Sequence, residues 1–150
     1  MASIVITRSA VDVDAASLAQ REPDALVLTA EERRWGRRRV RTRAGRELHL
    51  ALPTGSRLNP GDILHVEPDW YLQVEAARER LLAVRVSSFA ESARIAFEVG
   101  NRHFTLAVHG DRLLVPDDPA MIQLFERLGV PFERTVAIFE PIGIGHRHDV

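Results

Sequence analysis

Residues 81–139, LLAVRVSSFAESARIAFEVGNRHFTLAVHGDRLLVPDDPAMIQLFERLGVPFERTVAIF, decide the fold. Leu81 to Val86 is an apolar run of strand length. Ser87-Ser88 offers a helix N-cap, and Phe89, Ala93, Ala96 and Phe97 then recur at helical spacing as far as Val99, which predicts a helix with that face inward. Gly100-Asn101 fits its C-terminal cap. His103 to Val108 reads as a strand, Gly110-Asp111 as a turn, and Leu113 to Val115 as the returning strand of a hairpin. Asp117-Asp118-Pro119 starts a second helix, with Met121, Ile122, Phe125 and Leu128 on one face and Gly129 at its end. Arg134 to Phe139 closes the series as a strand. The order β-α-β-β-α-β is that of a split βαβ, ferredoxin-like domain.

Upstream the rhythm changes. Ile4-Val5-Ile6 and Ala25 to Leu28 are short apolar runs, while Arg37 to Arg43 and Glu47 to Leu52 alternate at period two around the turn Ala44-Gly45. Pro53-Thr54-Gly55 and Asn59-Pro60-Gly61-Asp62 are further turns around Ile63 to Val66. The fold class expected is α+β: a β-rich domain over residues 1–75, the ferredoxin-like domain over 76–140, and a flexible His-containing tail over 141–150. The joint is expected near Trp70 to Arg80. Each domain is near the size at which one core is marginal, so mutual packing or dimerisation is expected.

Composition narrows the chemistry. The 150 residues carry 20 basic groups, all of them Arg, against 21 acidic ones, for a net charge of −1. That balance argues against a general polyanion binder. The absence of Lys excludes Schiff-base chemistry and a P-loop lysine. Zero Cys excludes disulfides, thiol catalysis and cysteine-based metal centres. No apolar stretch approaches the roughly 20 residues that span a membrane. The N-terminus lacks a basic flank before an apolar core, so a cytoplasmic protein is expected.

Six His remain as candidate ligands: His49, His65, His103, His109, His146 and His148. His146 and His148 are i and i+2, which in extended chain puts both rings on one side, within reach of one ion. Imidazole suits Zn, Ni and Cu. Spacing alone leaves two readings open, a ligand pair or two solvated tail residues. His103 has no second ligand at i+3 or i+4, so it makes a site only if a two-fold axis brings in the same residue from another copy. His49, His65 and His109 lie in or beside strands and read as structural.

Eight Arg fall between Arg33 and Arg46. They read as a solvated strand face, with Arg39, Arg41 and Arg43 on one side and Val40 and Thr42 toward a core. The alternative is RNA binding or ribosome assembly through this basic face. RNA-recognition sheets stack bases on aromatics, whereas the strands Leu81 to Val86 and His103 to Val108 carry only Phe104. Enzyme motifs are lacking: Gly143-Ile144-Gly145 precedes no helix, and Asp117-Asp118 reads as a helix cap.

Gly100-Asn101-Arg102-His103, at the end of the first ferredoxin-like helix, resembles a motif of the UreE family of urease accessory proteins, which are nickel metallochaperones. Leu28-Thr29-Ala30-Glu31-Glu32-Arg33, the turn Leu52-Pro53-Thr54-Gly55, Leu58, Gly61-Asp62 and Phe139-Glu140-Pro141 are similar to family features in the same order. The resemblance covers most of the chain. It implies a non-enzymatic carrier with a partner-binding N-terminal domain and a homodimer made through the C-terminal one. It implies Ni2+ bound on the dimer axis by His103 of both copies, with His146 and His148 adding ligands, and Zn2+ or Cu2+ as competing ions. The implied partners are the urease accessory GTPase UreG and the urease apoprotein complex, with neither nucleic acid nor membrane among them. Two positions depart from the pattern. Val115 to Pro119 stands where some members carry His-x-His, and Glu98 stands where others carry His. The tail is also too short to predict a high-capacity nickel store.

Overall fold

Alternating side chains organise the first half more fully than its turn signals suggest. The structure, a computed structural model, describes residues 3–142. It divides into two compact units, Met1–Ala77 and Arg78–Val150. Among the described residues, no helix is long and apolar enough to cross a membrane.

The first unit contains β1 (Ile4–Ile6), the one-turn helix α1 (Ala15–Leu18), β2 (Glu22–Leu28), β3 (Arg37–Arg41), β4 (Glu47–Ala51), β5 (Ile63–Val66) and β6 (Trp70–Ala76). Two three-stranded sheets result, ordered β1-β4-β3 and β2-β6-β5. Ile6, Leu48 and Leu50 from one sheet join Leu26, Leu28, Leu64, Leu72 and Val74 from the other in a single core. Each fully buried aliphatic side chain contributes about 2 kcal/mol. The hairpin of β3 and β4 pairs Arg39 with His49 and Val40 with Leu48, as the alternation predicts.

The boundary between the units, Ala77/Arg78, falls within the expected joint near Trp70 to Arg80, but this stretch is mostly strand, with Ala77 alone separating β6 from the first strand of the second unit. Trp70, Leu72 and Val74 are buried at period two, and β6 pairs with both β2 and β5. Trp70-Tyr71-Leu72-Gln73-Val74-Glu75 alternates at period two, as its burial does.

One buried carboxylate ties the two sheets together. Asp24 on β2 accepts from the Thr42 hydroxyl at 2.5 Å, from the Arg46 guanidinium at 2.8 Å, and from the N–H groups of Ala25 and Ala44 at 2.8 and 3.0 Å. Burial pushes the Asp24 pKa upward, but the Thr42, Arg46 and backbone donors together outweigh burial and hold it below its ordinary 3.8. Arg46 also stacks over Trp70, 3.9 Å from the ring centroid. The Leu28 to Arg33 segment is likewise structural. Thr29 and Glu32 exchange reciprocal backbone bonds in a capping box. Arg33 is 1% exposed and donates to the Leu28 carbonyl at 3.0 Å. One of the eight clustered arginines is therefore a core residue, not part of a solvated face.

The second unit runs β7 (Arg78–Arg85), α2 (Phe89–Asn101), β8 (Ala107–His109), β9 (Arg112–Pro116), α3 (Pro119–Leu128) and β10 (Glu133–Ile138). Its antiparallel sheet has the order β10-β7-β9-β8. With its two helices this is the ferredoxin-like arrangement, so the chain as a whole is α+β. Leu82, Val84, Leu113 and Val115 from the sheet pack with Ile95, Val99, Met121, Leu124 and Phe125 from the helices.

Two local expectations need correction. The face of α2 carrying Phe89 and Phe97 points outward, these being 90% and 70% exposed, and the inward residues are Ile95 and Val99. Phe97 and Ile95 are two residues apart, roughly 200° around a helix, so α2 has two apolar stripes and only one meets the sheet. The strand expected over His103 to Val108 begins only at Ala107. The residues before it form the helix-ending turn.

Candidate metal-binding site

The Gly-Asn-Arg-His motif forms the C-terminus of α2. Gly100 and Asn101 are helical, so the helix runs past the expected cap. Arg102 is the capping residue, and its guanidinium donates to the Glu98 carbonyl at 3.0 Å, satisfying a helix-end acceptor. The same nitrogen lies 2.8 Å from the Glu98 carboxylate. Glu98 is thereby engaged with Arg102.

His103 takes the left-handed position that glycine fills in most helix ends. Its φ is 64°, the only positive φ at a non-glycine among the described residues. The His103 N–H donates to Gly100 at 2.9 Å, and the Phe104 N–H donates to Val99 at 3.3 Å. These are the two bonds of a Schellman motif, and the accompanying apolar contact joins Phe104 to the core cluster containing Val99. An L residue in this conformation costs about 1 kcal/mol relative to glycine, although His tolerates it better than most.

His103 is exposed. It lines an open cleft of about 390 Å³ with Ala96, Gly100, Phe104, Leu106 and Ile142. The Ile142 N–H donates to the Leu106 carbonyl at 2.8 Å, so the chain leading into the C-terminal segment is fixed beside His103. His146 and His148 lie outside the described residues. Among the described residues, no three His, Asp or Glu side chains converge as a ready-made metal site. His65 Nε2 is 2.7 Å from the Glu67 carboxylate, and its ring centroid is 5.5 Å from that of Trp70. His49 is half-buried on β4, and His109 is exposed on β8.

Sequence periodicity missed one neighbour of His103, and it assigned the outward stripe of α2 to the core. Ile142 carried no signal at all, because its place depends on the long-range bond to Leu106.

This chain is similar to known proteins along nearly its whole length. Residues 8–77 match the family model for the N-terminal domain of the UreE urease accessory protein, and residues 79–149 match that for its C-terminal domain. A urease accessory protein UreE from Ralstonia nicotianae is 38% identical over 138 residues, covering 89% of this chain and 65% of its own length. Another from Burkholderia mallei is 36% identical over 138 residues, covering 89% of this chain and 68% of its own. The chain thus spans about two thirds of the length of these curated relatives. With both domain models matched in order across the two units, the chain belongs to the UreE family of urease accessory proteins.

Proposed function

We propose that this chain is a cytoplasmic nickel carrier that binds Ni2+ at a homodimer seam and delivers it for assembly of the urease active site. The observation that carries this reading is His103 itself: an exposed imidazole in a strained conformation, beside the stem of a His-bearing segment and at the end of a helix that leaves Phe89 and Phe97 exposed.

One imidazole is too few donors for a divalent ion, and a two-fold axis near His103 doubles it. The second copy would cover Phe89 and Phe97, which the protomer leaves in water. His146 is four residues beyond Ile142, a span of at most about 14 Å of extended chain, so the tail imidazoles are within reach of the same ion. Neutral imidazoles suit Ni2+, and they equally accept Zn2+ or Cu2+. Selectivity must then come from the partners, which we take to be the urease accessory GTPase UreG and the urease apoprotein complex.

A carrier must release its cargo. A few imidazoles drawn from separate segments allow transfer ligand by ligand. A closed four-ligand site would hold the ion too firmly. No covalent chemistry is required of the chain. The division of labour places metal binding and dimerisation in the second unit, and partner binding in the first. We do not favour the RNA-binding alternative, because the net charge is near zero and the ferredoxin-like strands lack stacking aromatics.

Isothermal titration with Ni2+ tests the assignment. The full chain should bind about one ion per dimer. Deleting residues 144–150 should weaken binding at unchanged stoichiometry, whereas His103→Ala should remove the primary site. Loss of binding on tail deletion, with binding intact in His103→Ala, reverses the roles and sinks the reading.

A further inference from the structure

The most strongly charged surface of the first unit lies at an open sheet edge. Among the described residues β3 pairs with β4 on one side only, and no strand pairs with the other row of its backbone N–H and C=O groups. Arg37, Arg38, Arg39 and Arg41 on this strand are all exposed. Arg41 is paired with Glu47 at 2.6 Å, but among the described residues none of Arg37, Arg38 and Arg39 takes part in an ion pair. Arg38 is held over the Trp35 ring, 3.7 Å from its centroid. Arg37 and Arg39 stand on the opposite face from Val40, in the same row as the half-buried His49.

We propose that the open edge of β3 is a docking site for an acidic extended segment of a partner protein, which adds as a further strand. Charge decides the occupant. A second copy of this edge would set arginines against arginines, so the feature that keeps two copies from pairing also selects an acidic guest. Backbone bonds to β3 supply affinity that does not depend on the guest's side chains, while guest carboxylates aligned with Arg37 and Arg39 supply charge-assisted bonds and register. The five residues of β3 accommodate two guest carboxylates at i and i+2 on one face. This inference deepens the partner-binding role proposed for the first unit. It is tested without metal, so its failure leaves the His103 reading standing.

The probe is a fluorescent peptide of about eight residues alternating Glu and Val, measured by anisotropy against the full chain at low and high salt. It should bind at micromolar concentration and weaken at high salt. Binding should fall at least tenfold in Arg37→Glu/Arg39→Glu, and at least tenfold when alternate amides of the peptide are N-methylated. The same peptide with Lys in place of Glu should not bind. Circular dichroism of the double variant should be unchanged, since both side chains are exposed. No binding of the Glu–Val peptide overturns the proposal. Equal binding of the N-methylated peptide overturns strand addition, and tighter binding of a single-stranded RNA of similar length assigns the face to nucleic acid instead.

Discussion

The two helices of the ferredoxin-like unit end in the same hydrogen-bond pattern with different residues at its centre. In α3, Gly129 has φ 69° and donates to Glu126 at 3.2 Å, while Val130 donates to Phe125 at 2.9 Å. In α2, His103 has φ 64° and makes the equivalent bond to Gly100, while Phe104 makes the equivalent bond to Val99. α3 uses the residue with no Cβ penalty, and α2 accepts about 1 kcal/mol of strain to place an imidazole there. The α3 end is satisfied within the protomer. The α2 end leaves an exposed ring, on a helix whose Phe97 is also exposed. Identical backbone chemistry with a costlier side chain points to a role for the side chain outside the fold.

Substituting His103→Gly makes the two ends alike. Ni2+ affinity should fall at least a hundredfold by titration, yet the apo protein should become more stable by up to about 1 kcal/mol, or roughly 2–4 °C in melting temperature. A fall in melting temperature would mean that His103 serves the fold and not a ligand.

Phe97→Glu tests why the α2 end differs. Its side chain is 70% exposed in the protomer, so protomer stability should change by no more than about 0.5 kcal/mol. If a second copy covers this face, sedimentation should show the dimer weakened at least tenfold, with nickel affinity falling alongside. Unchanged association would move the seam elsewhere.

The smallest effect belongs to the other helix. A Cβ at Gly129 would meet nothing within 4 Å, so Gly129→Ala introduces backbone strain alone. It should lower stability by about 1 kcal/mol in thermal or urea unfolding and leave nickel binding unchanged. A change in nickel binding would show that the two ends are coupled through the core.

Much of this architecture was legible in the residues. Period-two alternation from Arg37 to Leu52 gave the hairpin, and Asp118, Pro119 and Gly129 marked both ends of α3. The joint near Trp70 to Arg80 falls where the two units divide, at Ala77/Arg78, but the strands that flank it on both sides were not foreseen. The inward face of α2 failed because two apolar stripes compete on one helix, and periodicity cannot say which will meet a sheet. His103 was found by its motif, but as the first residue of a strand.

What the sequence determined by itself is therefore local: strand alternation, caps, turns, the absence of thiols and amines, and the motif that carries the family resemblance. These follow from backbone sterics and side-chain chemistry within a few residues. Tertiary structure decided which stripe of α2 is buried, that Arg33 belongs to the core, that Asp24 joins two sheets, and that Ile142 lies beside His103. Each depends on contacts between residues far apart in the chain. Their free energy is gained only once both partners have been ordered, so no window of sequence contains it.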